Sequence, residues 1–303
     1  MELGRSTTGE RAFNWGNAVL LTVFALLCVY PFWYILILSL NEGRDTSMGG
    51  IYWLPRVFTF DNYRVMFSDM TILNAFWITV QRTVIGTAGS LLITSFVAFA
   101  LSRRELPGRQ PLLFVFLIVM LFSGGLIPYY IQLMNMHLIN NFWVYVIPSL
   151  FSVWNMFVMK TSFQNTIPES VVESVKLDGG GYMRIYFHIV LPFSMPLFAA
   201  LGLFTAVGQW NDWFTGAFFV NDIQLQPLPT YLQRMLSTIE ASQVISTSQM
   251  TTINQTRLYN PDAITPKSVR MATIMITVLP ILVVYPFVQR FFVKGVLIGS
   301  VKE

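Results

Sequence analysis

Residues Thr161 to Pro192 read TSFQNTIPESVVESVKLDGGGYMRIYFHIVLP, a polar, basic insert between two strongly apolar runs. Thr166 and Glu169 stand three residues apart in the pattern of a capping box, and Pro168 falls in a first turn, where its missing N–H is harmless. A short helix is predicted to start there and to continue over Ile167 to Leu177. Asp178 is followed by Gly179, Gly180 and Gly181, residues that accept positive φ and predict a sharp stop. The helical pattern resumes over Tyr182 to Leu191, and Pro192 and Pro196 predict a kink at the entry to the next apolar run.

The chain on either side of this insert is apolar. Of 303 residues, 54% are hydrophobic and 11% charged, against about 25% charged in a soluble domain, which makes this a membrane protein. Runs at about 17–40, 75–101, 111–133, 142–159, 189–207 and 271–292 are each read as crossing about 30 Å of hydrocarbon. The fold class is therefore all-α and polytopic, one transmembrane domain over 1–303 with six spans. The first run reads as a retained signal-anchor that Pro31 bends, and Gly124, Gly125 and Pro128 loosen the far end of the third. Between the first two runs, Ile51, Trp53, Leu54 and Phe58 suggest a segment lying at the interface. The single cysteine, Cys28, excludes an internal disulfide framework and reads as a small hydrophobe packed in its run.

Two loops are long. The insert 161–188 lies on one side of the membrane and 221–269 on the other, the latter far beyond the roughly 12 to 15 residues at which a structureless loop becomes unusual. Pro229 followed by Leu232, Met235, Leu236 and Ile239 predicts an amphipathic helix in it, and Ser242 to Thr256 turns to Ser, Thr, Gln and Asn as an adaptable tip would. The distribution of basic residues orients the chain. Arg5, Arg11, Arg103, Arg104, Arg109, Lys160, Lys176, Arg184, Arg290, Lys294 and Lys302 fall in segments of about 69 residues on one side, against Arg44, Arg56, Arg64, Arg234, Arg257, Lys267 and Arg270 in about 105 on the other. Both termini and the 161–188 loop are thus expected in the cytoplasm, in a multi-pass protein of the cell membrane. Arg82, near the outer end of the second run, is read as snorkelling to the interface.

Glu173-Ser-Val, then Asp178-Gly179-Gly180, then Ile189, Leu191 and Pro192 resemble the EAA loop of ABC importer permeases in their relative offsets. The chain departs from that pattern at Ser174 and Val175, where the family usually has alanines, and at Gly180, where alanine is common. Pro280, Tyr285-Pro286, Gln289-Arg290, Phe292 to Gly295 and Gly299 to Lys302 resemble the C-terminal signature of carbohydrate-uptake permeases of the second maltose permease subunit type. The resemblance implies a type I ABC importer permease fold with the 161–188 loop as coupling helix, in which Glu173, Asp178, Gly179 and Gly180 meet the ATPase. It implies that the tail with Lys294, Gly295 and Gly299 extends toward the ATPase, although by its own chemistry Gly295 reads as a helix terminator. The implied partners are a second, non-identical permease, two ATPase subunits carrying ATP and Mg, an extracytoplasmic solute-binding protein contacted by the 221–269 loop, and a carbohydrate, expected to be an oligosaccharide.

The chain itself shows no enzyme chemistry. His137 and His188 fall on opposite membrane sides in this topology and cannot share a metal, no GxxxxGK[ST] phosphate loop is present, and no cofactor is expected on this chain. No basic run interleaved with aromatics suggests nucleic acid. Sugar contacts are expected near Trp210, Asn211, Asp212 and Trp213, with Asn155 as another candidate, because aromatic faces and amide or carboxylate groups satisfy sugar hydroxyls. Interfacial anchoring is the other reading of those tryptophans. A stand-alone secondary transporter or channel is the alternative function; it would usually need ionisable residues inside the bundle, and the apolar runs offer none at mid-span.

Overall fold

A computed structural model describes residues 8–68, 70–245 and 265–299. Among them helix dominates, and the one extended pairing reported outside it is an isolated antiparallel bridge between Asn41 and Phe58. The helices that position the site are α1 (Thr8–Ser39), α2 (Met70–Ser102), α3 (Arg109–Leu121), α4 (Leu126–Asn135), α5 (Val153–Thr166), α6 (Glu169–Leu177), α7 (Met195–Asn211), α8 (Phe214–Phe219), α9 (Leu228–Ile245) and α10 (Pro266–Gly299). Four stretches are long and apolar enough to cross a membrane, or up to six if each of two bent pairs is one span. The bent pairs are α3 with α4, at 115°, and Tyr182–Phe193 with α7, at 78°.

Several expected elements take a different form. The run at 111–133 is broken rather than loosened: Gly125, at φ +85°, takes a conformation open to glycine, and α4 starts afresh behind it. The run at 142–159 opens with 3₁₀ turns at Phe142–Tyr145 and Ile147–Ser149, the second carrying Pro148, before α5 begins. Cys28 is exposed on α1 instead of packed within the protein. Helix α10 continues through Gly295 to Gly299, so Gly295 does not end it. The kink expected from Pro192 and Pro196 is present. A π turn at Tyr186–Val190 precedes Leu191–Phe193, and α7 starts at Met195 with proline in its first turn.

The chain divides into two compact units. In the larger, residues 70–237 and 279–303, α2 packs along both α5 and α7. Its buried positions include Thr79, Gly86, Ser90, Thr94, Ser95 and Ala98, small or hydroxylated residues that let neighbouring backbones approach closely. One core joins Ala98, Phe99 and Leu101 of α2 to Met156, Met159 and Phe163 of α5, Val172 of α6, Ile185, Tyr186 and Val190, and Leu201 of α7. Tyr186 is its centre. The ring stacks on Phe96 at 4.4 Å and its hydroxyl shares a buried 2.6 Å hydrogen bond with Ser95.

In the smaller unit, residues 1–69 and 238–278, α1 is buried only at its end, at Ile37, Leu38 and Ser39, while Leu20, Phe24, Leu27 and others expose the apolar surface that lipid would cover. Residues 41–68 are ordered around Asn41, which is fully buried. Its Nδ2 donates to Asp45 and Thr46, and its Oδ1 accepts from the Arg56 and Val57 N–H groups at 2.8 and 3.0 Å. Asn62 in turn donates to the Ser39 and Asn41 carbonyls. Trp53, Leu54 and Phe58 are exposed, as an interfacial segment requires, whereas Ile51 is buried against the end of α1. Asn41→Ala should leave two N–H groups unpaired, costing about 1–3 kcal/mol. Hydrogen exchange in the bilayer-embedded protein should then quicken at Arg56 and Val57 and stay unchanged in α5.

Candidate functional site

The insert around Glu173 folds as a short helix on the larger unit, but it starts later than its capping box predicts. Helix α5 runs on through Thr166, drawn by the complete burial of Phe163 and the near-complete burial of Ile167, so Thr166 closes that helix and caps nothing. Pro168, at φ −59° and ψ 144°, stands before α6, with no side-chain cap bond. The inner face of α6 is Val172, buried, and Val175, half-buried, both seated on the core around Phe99 and Tyr186. The outer face is exposed: Glu173 is free of side-chain partners among the described residues, flanked by Val171 and by Leu177, which is 88% exposed.

The stop is a complete Schellman turn. Gly180 N–H bonds the Val175 carbonyl at 2.8 Å and Gly179 N–H bonds that of Lys176 at 3.0 Å, with Gly179 at φ +78°. Gly179, rather than Gly180 or Gly181, is therefore the left-handed residue, and Asp178 is the exposed residue before it. A Cβ at Gly180 would lie 2.5 Å from Val175 Cγ1 and 2.9 Å from its carbonyl oxygen. The departures at Val175 and Gly180 are thus linked in part: the valine side chain crowds the space an alanine methyl at 180 would use, and the Val175 carbonyl oxygen crowds it as well.

Sequence reading did not single out what holds this turn in place. Lys176 Nζ reaches both carboxylate oxygens of Glu105, in the loop between α2 and α3, at 2.8 Å, and lies 4.9 Å from the Tyr182 ring; Tyr182 donates its hydroxyl to the same carboxylate. These bonds hold Glu105 below the usual carboxylate range and raise Lys176 above its ordinary value. A depressed carboxylate contributes above its unfolded value and is lost as pH falls through the folded one; a raised lysine is lost as pH rises through its folded one. The clamp is therefore constant across neutral pH.

Of the expected tail, Lys294, Gly295 and Gly299 lie on the α10 backbone, and the Lys294 side chain is outside the described residues. The aromatic cluster at the far end of α7 is not one site. Asp212, at the break between α7 and α8, lines a cavity of about 310 Å³ with Tyr129, Tyr145, Ser149, Thr205 and Gln209. Asn155 reaches this wall indirectly, donating to Thr205 at 3.3 Å. Trp210 is buried edge-on against Phe76 and lines a separate, wholly apolar pocket of about 370 Å³ with Val84, Phe204 and Pro280. Asn211 and Trp213 are exposed and line neither.

Arg82 does not snorkel. Its side chain is fully buried in α2, paired with Asp212 Oδ2 at 2.9 Å and stacked over Tyr145 at 4.8 Å. Asp212 uses its other oxygen to accept the Thr215 N–H. A lone charge in an apolar run was the available signal, because an intramembrane ionisable residue is by default a candidate for function.

No family model matches the chain. It is similar to the polygalacturonan/rhamnogalacturonan transport system permease protein YtcP of Bacillus subtilis (strain 168), with 36% identity over 282 residues covering 93% of this chain and 95% of that protein. Among solved structures it is similar to a chain of a bacterial ABC transporter involved in the import of the acidic polysaccharide alginate. The TM-score is 0.81 at 25% identity, covering 95% of this chain and 99% of that one. A bacterial alginate ABC transporter in complex with alginate pentasaccharide-bound periplasmic protein shares the fold at 12% identity and TM-score 0.56, covering 93% and 94%.

Replacing Glu105 with Gln removes the charge that holds Lys176, so hydrogen exchange at residues 176–182 should accelerate while the buried core of α5 stays protected. Gly179→Val should act more strongly, because a β-branched residue at φ +78° is strained by about 1–3 kcal/mol. Equal exchange in all three proteins would show that neither feature holds the turn.

Proposed function

The chain belongs to the family of permease proteins of carbohydrate ABC transport systems, and from that membership we propose that it converts closure of partner ATPase subunits into opening and closing of a sugar pathway. In this reading α6 is the coupling helix. ATP binding, with Mg, closes two ATPase subunits; Glu173, Val171 and Leu177 are the exposed groups they grip, and the buried Val172 and Val175 transfer the displacement to the core. The subunit then moves as a rigid body between inward- and outward-open states. A second, non-identical permease completes the pathway, and the α10 tail with Lys294, Gly295 and Gly299 approaches the ATPases from the same, cytoplasmic side, where both termini lie. The chain makes and breaks no bond of its own.

The single observation that carries the reading is α6: a short helix ended by a Schellman turn, seated on the core by one face and exposing Glu173 on the other. The proposed cargo is an acidic oligosaccharide. It is supported by the uronate-rich substrates named for the relative and for the solved transporter. The buried Arg82–Asp212 pair is the feature that would suit an ion-driven secondary transporter instead. Transport by the isolated chain under an ion gradient, without an ATPase, would establish that second reading.

Glu173→Lys should abolish uptake while ATP hydrolysis by the assembled complex continues, or should prevent ATPase copurification, with membrane insertion intact in either case. Uptake at the wild-type rate would sink the coupling assignment. A further part of the proposal is that the loop after α9 meets an extracytoplasmic solute-binding protein. Helix α9 forms with Pro229 in its first turn as predicted, and most of the expected tip, from residue 246 on, is outside the described residues. Deleting Gln243 to Gln255 should spare assembly and basal hydrolysis and reduce the stimulation given by sugar-loaded binding protein. Undiminished stimulation would remove the tip from that role.

A further inference from the structure

The cavity beside the α7–α8 break carries one charged side chain among its lining residues, Asp212, and that charge is cancelled from behind by a residue that does not line the cavity at all. Arg82 reaches Asp212 through the wall, with its guanidinium over the ring of Tyr145, itself a lining residue. The pair is poorly explained as a stability element. Replacing an ion pair inside a protein by apolar groups of similar volume is often neutral or stabilising, and Nε and Nη1 of Arg82 are buried without hydrogen-bond partners among the described residues, which calls for a reason beyond packing.

We propose that Arg82 is a specificity-determining residue: by neutralising Asp212 it lets the cavity accept an acidic sugar. This rests on the reading above that the cargo is an acidic oligosaccharide. An unpaired Asp212 carboxylate would repel a uronate carboxylate across a few ångströms of the partly enclosed cavity, where like charges act more strongly than in bulk water. With Arg82 present, the wall is neutral toward charge, while the remaining lining groups, Tyr129, Tyr145, Ser149, Thr205 and Gln209, offer ring faces, hydroxyls and an amide to the sugar. Gly86 of α2 leaves room for Gln209 in this wall: a Cβ there would lie 2.9 Å from its Nε2.

The test uses the assembled complex in proteoliposomes and two probes, a galacturonate trisaccharide and its fully methyl-esterified form, which lacks the charges and carries three ester methyl groups; the wild-type ratio between them is the reference. Arg82→Gln should lower uptake of the free acid relative to the ester by about tenfold or more, and Arg82→Gln with Asp212→Asn should restore the wild-type ratio, since the wall is again neutral. Asp212→Asn alone leaves an unopposed cation and should move the ratio the other way, toward the free acid; this arm decides if the Arg82→Gln subunit does not assemble. A wild-type complex that transports these sugars with an acid-to-ester ratio indifferent to both single substitutions overturns the assignment alone. A wild-type complex that transports neither probe overturns the proposed cargo, and the role of Arg82 with it.

Discussion

The close approach of α5 and α7 to α2 is the constraint on which the larger unit depends. Lipid offers no hydrophobic gain for bringing helices together, so association rests on packing, and packing needs backbones that can touch. Helix α2 meets this with Gly86, Ser90, Thr94, Ser95 and Ala98, all buried. The fit leaves no slack at its glycines: a Cβ at Gly89 would lie 2.5 Å from Leu150 Cδ2, and one at Gly202 of α7 would lie 3.1 Å from Leu91 Cδ1. The hydroxyls do further work, Thr79 by accepting the Leu228 N–H ahead of α9 and Thr94 by accepting the Ser152 N–H ahead of α5. Helix starts that would otherwise present bare N–H groups in an apolar medium are thereby satisfied from α2.

That close packing is also what makes a buried arginine tenable. With α7 held against α2, the break at Asp212 comes within reach of Arg82, and one carboxylate serves two ends, pairing the guanidinium through Oδ2 and taking the Thr215 N–H through Oδ1. Removing Asp212 would leave a fully buried guanidinium uncompensated, typically a loss of about 3–5 kcal/mol, whereas Asp212, whose side chain is 31% exposed, would be left facing the cavity. The charge, the helix break and the cavity wall are therefore one arrangement. A shift of α7 along α2 would have to break the ion pair.

How much of this was legible in the sequence depends on the range of the interaction involved. Features set by adjacent residues read correctly: the glycine stop after Asp178, the proline-induced bend before α7 and the start of α9 at Pro229. Features decided by contacts far along the chain did not. Thr166 and Glu169 have the right spacing for a capping box, but burial of Phe163 and Ile167 carries α5 past it. Arg82 and Asp212 are 130 positions apart, and Glu105 and Lys176 are 71 apart. Neither pair has a local signature. The four consecutive residues from Trp210 to Trp213 appeared as one aromatic-polar cluster because sequence cannot show that the helix ends among them. The break sends Trp210 to the apolar pocket, Asp212 to the cavity and the other two outward.

The two regions of interest are joined through α2, which contributes to the core beneath α6 at one end and to the ion pair behind the cavity at the other. Val172 and Val175 of α6 belong to the cluster that contains Phe99 and Tyr186; Tyr186 is bonded to Ser95 of α2 and stacked on Phe96; Leu201 of α7 is part of the same cluster. Interiors at this density do not deform continuously, so a push on α6 is passed on as displacement of packed helices. The Glu105–Lys176–Tyr182 clamp ties α6 to the loop that ends α2, giving the push a second point of application on the same helix. Helix α2 also carries Gly86 and Arg82, which place Gln209 and Asp212 in the cavity wall. In the mechanism proposed above, the element that would receive the displacement is thus the one that carries Arg82 beside the cavity, and a tilt of α2 small enough to preserve its core would still change the shape and charge of the cavity wall.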